Sequence, residues 1–199
     1  MSSSDIIRAT RPFIQLLEQL SIRYYIGGSV ASSAHGLPRT TIDVDIVVDL
    51  KHTQVKTIVA ALQSGFYIDA DVIHTAIDNE ATFNIVHLET FIKLDIFILK
   101  SAPYDQMVVL RSVKGTLAPD DSDELIVRFS SPEDIVLHKL YWFRLGGEQS
   151  ERQWRDLLGV LKVQTDNLDR DYMQQWAQQL GVSDLLQRAL DVVPPPPTE

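Results

Sequence analysis

Two aspartates, Asp43 and Asp45, stand one residue apart in the run Ile42-Asp43-Val44-Asp45-Ile46-Val47-Val48. The even positions, Ile42, Val44, Ile46 and Val48, are all β-branched and apolar. Side chains alternate faces along a strand. One face is therefore apolar and the other carries two carboxylates. Asp is a poor strand former. Like charges roughly 6–7 Å apart along one face repel by about 2–3 kcal/mol at an effective dielectric of ~20. A divalent cation turns that repulsion into a ligand set, because Mg²⁺ takes hard oxygen donors and completes its shell with water and phosphate. The alternative is a pair of carboxylates that simply faces water.

The elements around the pair suit a phosphate-bearing ligand. Tyr24-Tyr25-Ile26 reads as the end of a strand, Gly27-Gly28-Ser29 as a turn, and Val30 to His35 as a helix. A helix N-terminus offers free N–H groups and partial positive charge. Glycines let a phosphate approach the backbone, and the Ser29 hydroxyl adds a donor. A plain strand-to-helix turn with a serine cap would look the same. Arg39, in the loop before the aspartates, either contacts phosphate or pins that loop. Downstream, Phe91-Ile92-Lys93-Leu94-Asp95-Ile96-Phe97-Ile98-Leu99 is a second strand. Ile92, Leu94, Ile96 and Ile98 share one face, and Lys93, Asp95 and Phe97 the other. Asp95 would be costly to bury without a partner, whereas on an exposed edge it would sit in water.

The order Gly28-Ser29, thirteen intervening residues, then Asp43-Val44-Asp45 resembles the signature of the DNA polymerase β-like nucleotidyltransferase superfamily. The wording of residues 27–48 resembles its AbiEii-type, type IV toxin-like branch. The match covers about a quarter of the chain at motif level. It implies an α+β nucleotidyltransferase fold, a small mixed sheet flanked by helices with a helical C-terminal part. It implies a third carboxylate on a strand beside the first two, for which Asp95 is the candidate. Asp43, Asp45 and Asp95 would then be the metal ligands, with Mg²⁺ or Mn²⁺ as cofactor. Gly28 and Ser29 would hold the phosphates of a nucleoside triphosphate. The acceptor would be RNA or tRNA, a protein hydroxyl or a small molecule, and an antitoxin-type protein partner is possible within such a branch. A non-catalytic module that keeps the fold to bind nucleotide or a partner is the competing reading.

A second cluster lies in two C-terminal segments, His138-Lys139-Leu140-Tyr141-Trp142-Phe143-Arg144 and Arg152-Gln153-Trp154-Arg155-Asp156. Lys139 sits among Ile135, Val136, Leu137 and Leu140, an awkward place for an unpaired charge. Asp156 precedes an apolar run in the same way, so an ion pair between the two is expected. The pattern resembles the paired C-terminal motifs of the AbiEii-type branch. By that resemblance Lys139 faces the triphosphate and Asp156 supports it, with Arg144 or Arg152 adding charge on the phosphate tail. The alternative is a structural salt bridge between packed helices.

Composition sets the outer bounds. The chain has 199 residues, 45% hydrophobic, no cysteine and a formal net charge of −9. Disulfides and thiolate metal sites are excluded. The acid excess argues against broad, sequence-blind nucleic-acid binding, which depends on many Lys and Arg. The N-terminus lacks the apolar run of a secretory signal and no stretch has the length of a membrane span, so a cytoplasmic protein without membrane contact is expected. The expected division is a catalytic domain over 1–129, a helical region over 130–192 and a proline-rich tail over 193–199.

Apolar spacing predicts helices over 5–20, kinked or started at Pro12, and over 51–64, ended by Gly65. Shorter helices are predicted over 70–77 and 102–112. Strands are predicted over 22–26, 82–88, 90–99 and 125–129, with 115–124 as an acidic loop. Ser131-Pro132-Glu133-Asp134 is a helix start, with a serine cap and proline at the first helical position. That helix runs to about Leu145, and three more follow over 151–163, 170–180 and 183–192.

Overall fold

The computed structural model describes residues 3–37, 43–117 and 124–193. Arg39, Ile42, the acidic residues Asp120, Asp121 and Asp123, and the tail Pro194–Pro197 lie outside the described residues. The chain forms two compact units. One takes the residues through Val30 and those from Asp43 to Phe129. The other takes the segment after Val30 through Leu37 and the chain from Ser130.

The first unit opens with α1 (Ser3–Gln19), β1 (Tyr24–Ile26) and the start of α2 (Gly28–His35). It continues with β2 (Val44–Val48), α3 (His52–Leu62), β3 (Phe66–Tyr67), α4 (Ala70–Asp78) and β4 (Thr82–His87). It ends with β5 (Lys93–Ile98), α5 (Pro103–Arg111), β6 (Val113–Leu117) and β7 (Leu125–Phe129). Among the described residues the strands form one mixed sheet in the order β3-β4-β5-β2-β1-β7-β6. β2 runs parallel to β5, and β1 parallel to β7, while the remaining pairs are antiparallel. The aspartate strand is thus interior, with a neighbour on each side. Val44, Ile46 and Val48 from β2, with Leu94 and Ile96 from β5, are wholly buried on its apolar face. Covering one face of a sheet with helices is how such a layer removes its apolar side chains from water.

Three details depart from the expectations above. α1 does not start at Pro12 but runs through it. Ile7 and Ala9, ahead of the proline, are completely buried, and this packing holds the first turns in place despite the lost hydrogen bond. Gly115 to Leu117, expected to be loop, belong to β6, which pairs with β7 along Val113↔Phe129 to Leu117↔Leu125. The missing side chain at Gly115 admits the Phe129 ring, since a Cβ there would lie 2.9 Å from Phe129 Cδ2. β3 has two residues, Phe66 and Tyr67, paired with His87 and Val86. Two residues are too few to show a period.

The second unit carries the rest of α2 together with α6 (Pro132–Leu145), α7 (Glu151–Gln164), α8 (Arg170–Gln179) and α9 (Ser183–Val192). α6 starts where its sequence predicts. The Asp134 N–H donates to Ser131 Oγ at 3.2 Å, and Pro132 occupies the first turn. Ile135, Val136, Leu137, Leu140 and Phe143 bury the inner side of α6. The Tyr172 hydroxyl donates to Asp134 Oδ1 at 2.7 Å, and the Asp169 N–H to Glu133 Oε1 at 3.0 Å. The acids in the first turn of α6 therefore tie α8 to it. Among the described residues no helix is long and apolar enough to cross a membrane.

Candidate functional site

β1 delivers the chain to a tight junction beside the aspartate strand. The Gly27 N–H donates to the Asp45 carbonyl at 2.9 Å, so the turn is laced to β2. Gly28 then adopts φ +55° at the start of α2. Its missing side chain is required twice. The left-handed backbone disfavours an L side chain, and a Cβ there would overlap the Asp45 carboxylate. The backbone at Gly28 and the Asp45 side chain thus lie against each other. Ser29 follows in the first turn of α2. This is the direction in which a helix presents N–H groups to an anion.

The carboxylates occupy the face of the sheet opposite the buried valines and isoleucines. Asp43 is exposed just before β2, and Asp45 is half-buried within it. β5 lies parallel to β2 with Asp45 opposite Asp95. Partners at the same register in neighbouring strands point to the same face, with backbones about 4.8 Å apart. The structure therefore sets Asp95 beside Asp45 on one face of the sheet.

Asp95 also meets two groups from its own surroundings. Lys93 Nζ lies 3.0 Å from Asp95 Oδ2. Asn84 lies on β4 directly opposite Asp95, and with its amide turned so that the nitrogen faces the carboxylate it donates to Asp95 Oδ1. The hydrogen bond to Asp95 raises the pKa of Lys93. Partial burial opposes the rise, and the charges of Asp95, Asp43 and Asp45 add to it. Three carboxylates thus act on one ammonium. Asn84 carries no signal in the sequence. Lys93 does: it alternates onto the same strand face as Asp95.

The donor set suits a hard cation. Carboxylate oxygens are the ligands Mg²⁺ and Mn²⁺ accept, and Mg²⁺ is commonly held by one or two of them. Among the described residues no three His, Cys, Asp or Glu side chains are drawn close enough to hold a metal ion.

In the second unit Lys139 Nζ lies 2.9 Å from Asp156 Oδ2, and both side chains are buried. This is the ion pair their awkward positions called for. Arg144 is placed differently. Its guanidinium bonds both Asp184 oxygens at 2.6 Å and reaches Glu148 at 3.1 Å. These bonds, that to Asp184 foremost, raise the pKa of Arg144 and lower that of Asp184. His35 and His138 are both half-buried. Burial lowers the pKa of His35, with smaller opposing contributions from Ser130 and Glu133.

No family model matches the chain, and no curated protein matches it. Solved structures do. ANT(2'')-Ia in complex with adenylyl-2''-tobramycin is similar at 13% identity and a TM-score of 0.53, over 90% of this chain and 98% of that one. The solution structure of the antibiotic-resistance factor ANT(2'')-Ia is similar at 14% identity and a TM-score of 0.50, over 94% and 96%. An antigenic nucleotidyltransferase-like protein from Paracoccidioides brasiliensis is similar at 18% identity and a TM-score of 0.51, over 90% and 88%. With the sheet order and the glycine–aspartate junction described above, these likenesses give the architecture its class: this chain has the nucleotidyltransferase fold.

Proposed function

We propose that the protein is a nucleotidyltransferase that moves a nucleoside monophosphate from a nucleoside triphosphate to a hydroxyl acceptor. The observation that carries this reading is the junction of Gly28, Asp45 and Asp95. A glycine-only approach to the backbone lies against one carboxylate, and that carboxylate stands in register beside another on a parallel strand. An acceptor oxygen attacks the α-phosphorus, the bond to the bridging oxygen breaks, and pyrophosphate leaves. Asp95 is assigned the proton of the attacking hydroxyl. The N–H groups at Gly28 and Ser29 are assigned the phosphate oxygens. Asp43, Asp45 and Asp95 are the candidates for Mg²⁺ or Mn²⁺, and their carboxylates would have to draw closer together to hold it. Such an ion, when bound, supplies charge neutralisation at the phosphates and a more acidic acceptor hydroxyl.

Two features support a small hydroxylated acceptor. The formal net charge of −9 disfavours a long nucleic-acid footprint. The similar ANT(2'')-Ia is crystallised with an adenylylated small molecule, adenylyl-2''-tobramycin. The finer reading, an AbiEii-type toxin-like enzyme acting on tRNA or protein and held by an antitoxin-type partner, rests on the wording of residues 27–48 and on the Lys139 and Asp156 motifs. One observation favours a second reading, the non-catalytic module: Asp95 is already engaged by Lys93 and Asn84.

Incubation with Mg²⁺ or Mn²⁺ and each α-labelled triphosphate decides between them, with total tRNA, a protein extract and a panel of hydroxylated small molecules as acceptors. The enzyme reading expects label transfer that falls at least about a hundredfold in Asp43→Asn and Asp45→Asn. Tight nucleotide binding with no transfer to any acceptor sinks it in favour of the module.

A further inference from the structure

Within the second unit, a groove of about 370 Å³ lies where the end of α6 meets the first half of α7 and the middle of α9. Phe143 from α6, with Trp154 and Leu158 from α7, gives it an apolar wall. Two neighbours hold the Trp154 ring. The Phe143 ring is tilted against it with centroids 5.3 Å apart, and Arg188 Cζ lies 4.5 Å from its centre. A guanidinium stacked on an indole spends its face and keeps its in-plane N–H donors for another partner. Arg155 lines the same groove. Among the described residues, no carboxylate forms an ion pair with Arg155 or Arg188. Acids outnumber bases in this chain by 27 to 18, so two guanidiniums without a carboxylate in one groove reverse the average charge of the chain. The acids of the groove are placed otherwise. Glu148 is bonded to Arg144 at 3.1 Å. Glu151 stands in the first turn of α7, where the helix N-terminus attracts it.

We propose that this groove binds a small planar anion, an aromatic or heteroaromatic ring that carries a carboxylate or phosphate. The ring lies against Phe143, Trp154 and Leu158, and Arg155 and Arg188 take the charge. The fork of a guanidinium matches two oxygens of such a group. The volume suits one molecule of this kind, near the lower end of the roughly 300–1,000 Å³ usual for small-molecule sites. A neutral ring forfeits both cations, and a cationic ring is repelled by them. No part in nucleotidyl transfer is assigned to Phe143, Trp154, Arg155, Leu158 or Arg188.

The test uses the full chain and three probes. The chain has three tryptophans, so its ¹H–¹⁵N spectrum has three indole signals, and Trp154→Phe identifies the one that reports on the groove. Sodium 2-naphthoate should shift that signal saturably and raise the unfolding temperature. 2-Naphthamide, of the same shape without the charge, should bind about tenfold more weakly, as expected from losing charge-assisted hydrogen bonds. Arg155→Gln and Arg188→Gln should each weaken 2-naphthoate by about tenfold and change 2-naphthamide by less than about threefold. AMP separates the two sources of such an anion. Binding at the Trp154 signal tighter than that of 2-naphthoate makes the ligand a nucleotide, and weaker binding makes it an aromatic acid. A Trp154 signal unmoved by both anions would overturn the proposal, as would 2-naphthamide binding as tightly as 2-naphthoate. Should the glutamine variants not fold, the comparison of acid with amide on wild type decides alone.

Discussion

Gly28 and Lys139 show how differently single residues constrain this protein. At Gly28 the constraint is steric. A side chain in the left-handed region costs about 1–3 kcal/mol, and here it also overlaps the Asp45 carboxylate. Gly28→Ala should lose stability of that size in urea unfolding. Displacing the Asp45 carboxylate should slow label transfer by about a hundredfold. Gly27→Ala is the control, because a Cβ at Gly27 meets only the Tyr25 ring at an ordinary 3.6 Å. Equal behaviour of the two variants would remove the steric argument. At Lys139 the constraint is electrostatic. Lys139→Met removes the ammonium 2.9 Å from the buried Asp156 carboxylate and should destabilise by about 3–5 kcal/mol. The double variant Lys139→Met with Asp156→Leu should recover most of that loss. If Lys139→Met instead keeps its stability and weakens use of the triphosphate, the phosphate-facing role implied by resemblance is the better account.

Among the elements, the β4–β5 hairpin carries a dependence on pH. His87 ends β4, is buried against the Phe66 ring and accepts the Thr90 N–H at Nδ1, 3.3 Å away. Thr90 Oγ1 lies 2.9 Å from the same nitrogen. That arrangement needs an unprotonated Nδ1. Burial lowers the pKa of His87, with Glu89 opposing and Arg8 reinforcing the shift. A lowered folded value means that the unfolded chain takes up the proton first. The contribution of His87 to stability is therefore present above the ordinary imidazole value of about 6.5 and is lost as pH falls through the folded value. Amide exchange at Phe91 and Ile92 should speed up between pH 7 and pH 5 beyond its intrinsic pH dependence, and His87→Gln should flatten that change. An unaltered profile in the variant would assign the pH response elsewhere. Element by element, the sequence was most informative where a period or a cap repeats a local rule. α6 begins at its serine cap and proline, and β2 and β5 follow their alternation. It was silent for β3 and misleading for β6, whose Gly115 signals a turn by itself and a ring-packing position only once Phe129 is opposite it.

At the scale of the whole molecule, two units form from one chain, each with its own buried side chains. In the first, the sheet order places β2 between β5 and β1, although some forty residues separate β2 from β5 in sequence. That order brings Asp95 beside Asp45, which lies against Gly28. The motif from Gly28 to Asp45 is local in sequence, and its arrangement was legible there. A carboxylate pair on one strand face and a glycine turn before a helix follow from side-chain alternation and backbone sterics, which act between near neighbours. The pairing of Lys139 with Asp156 was legible for a similar reason, since each charge sat in an apolar run that demanded a partner. Tertiary structure alone decided the rest. The parallel register of Asp45 with Asp95, the hydrogen bond from Asn84, and the bonding of Arg144 to Asp184 all depend on which elements lie side by side. That choice is made by burying apolar faces across the whole chain, and no local spacing encodes it.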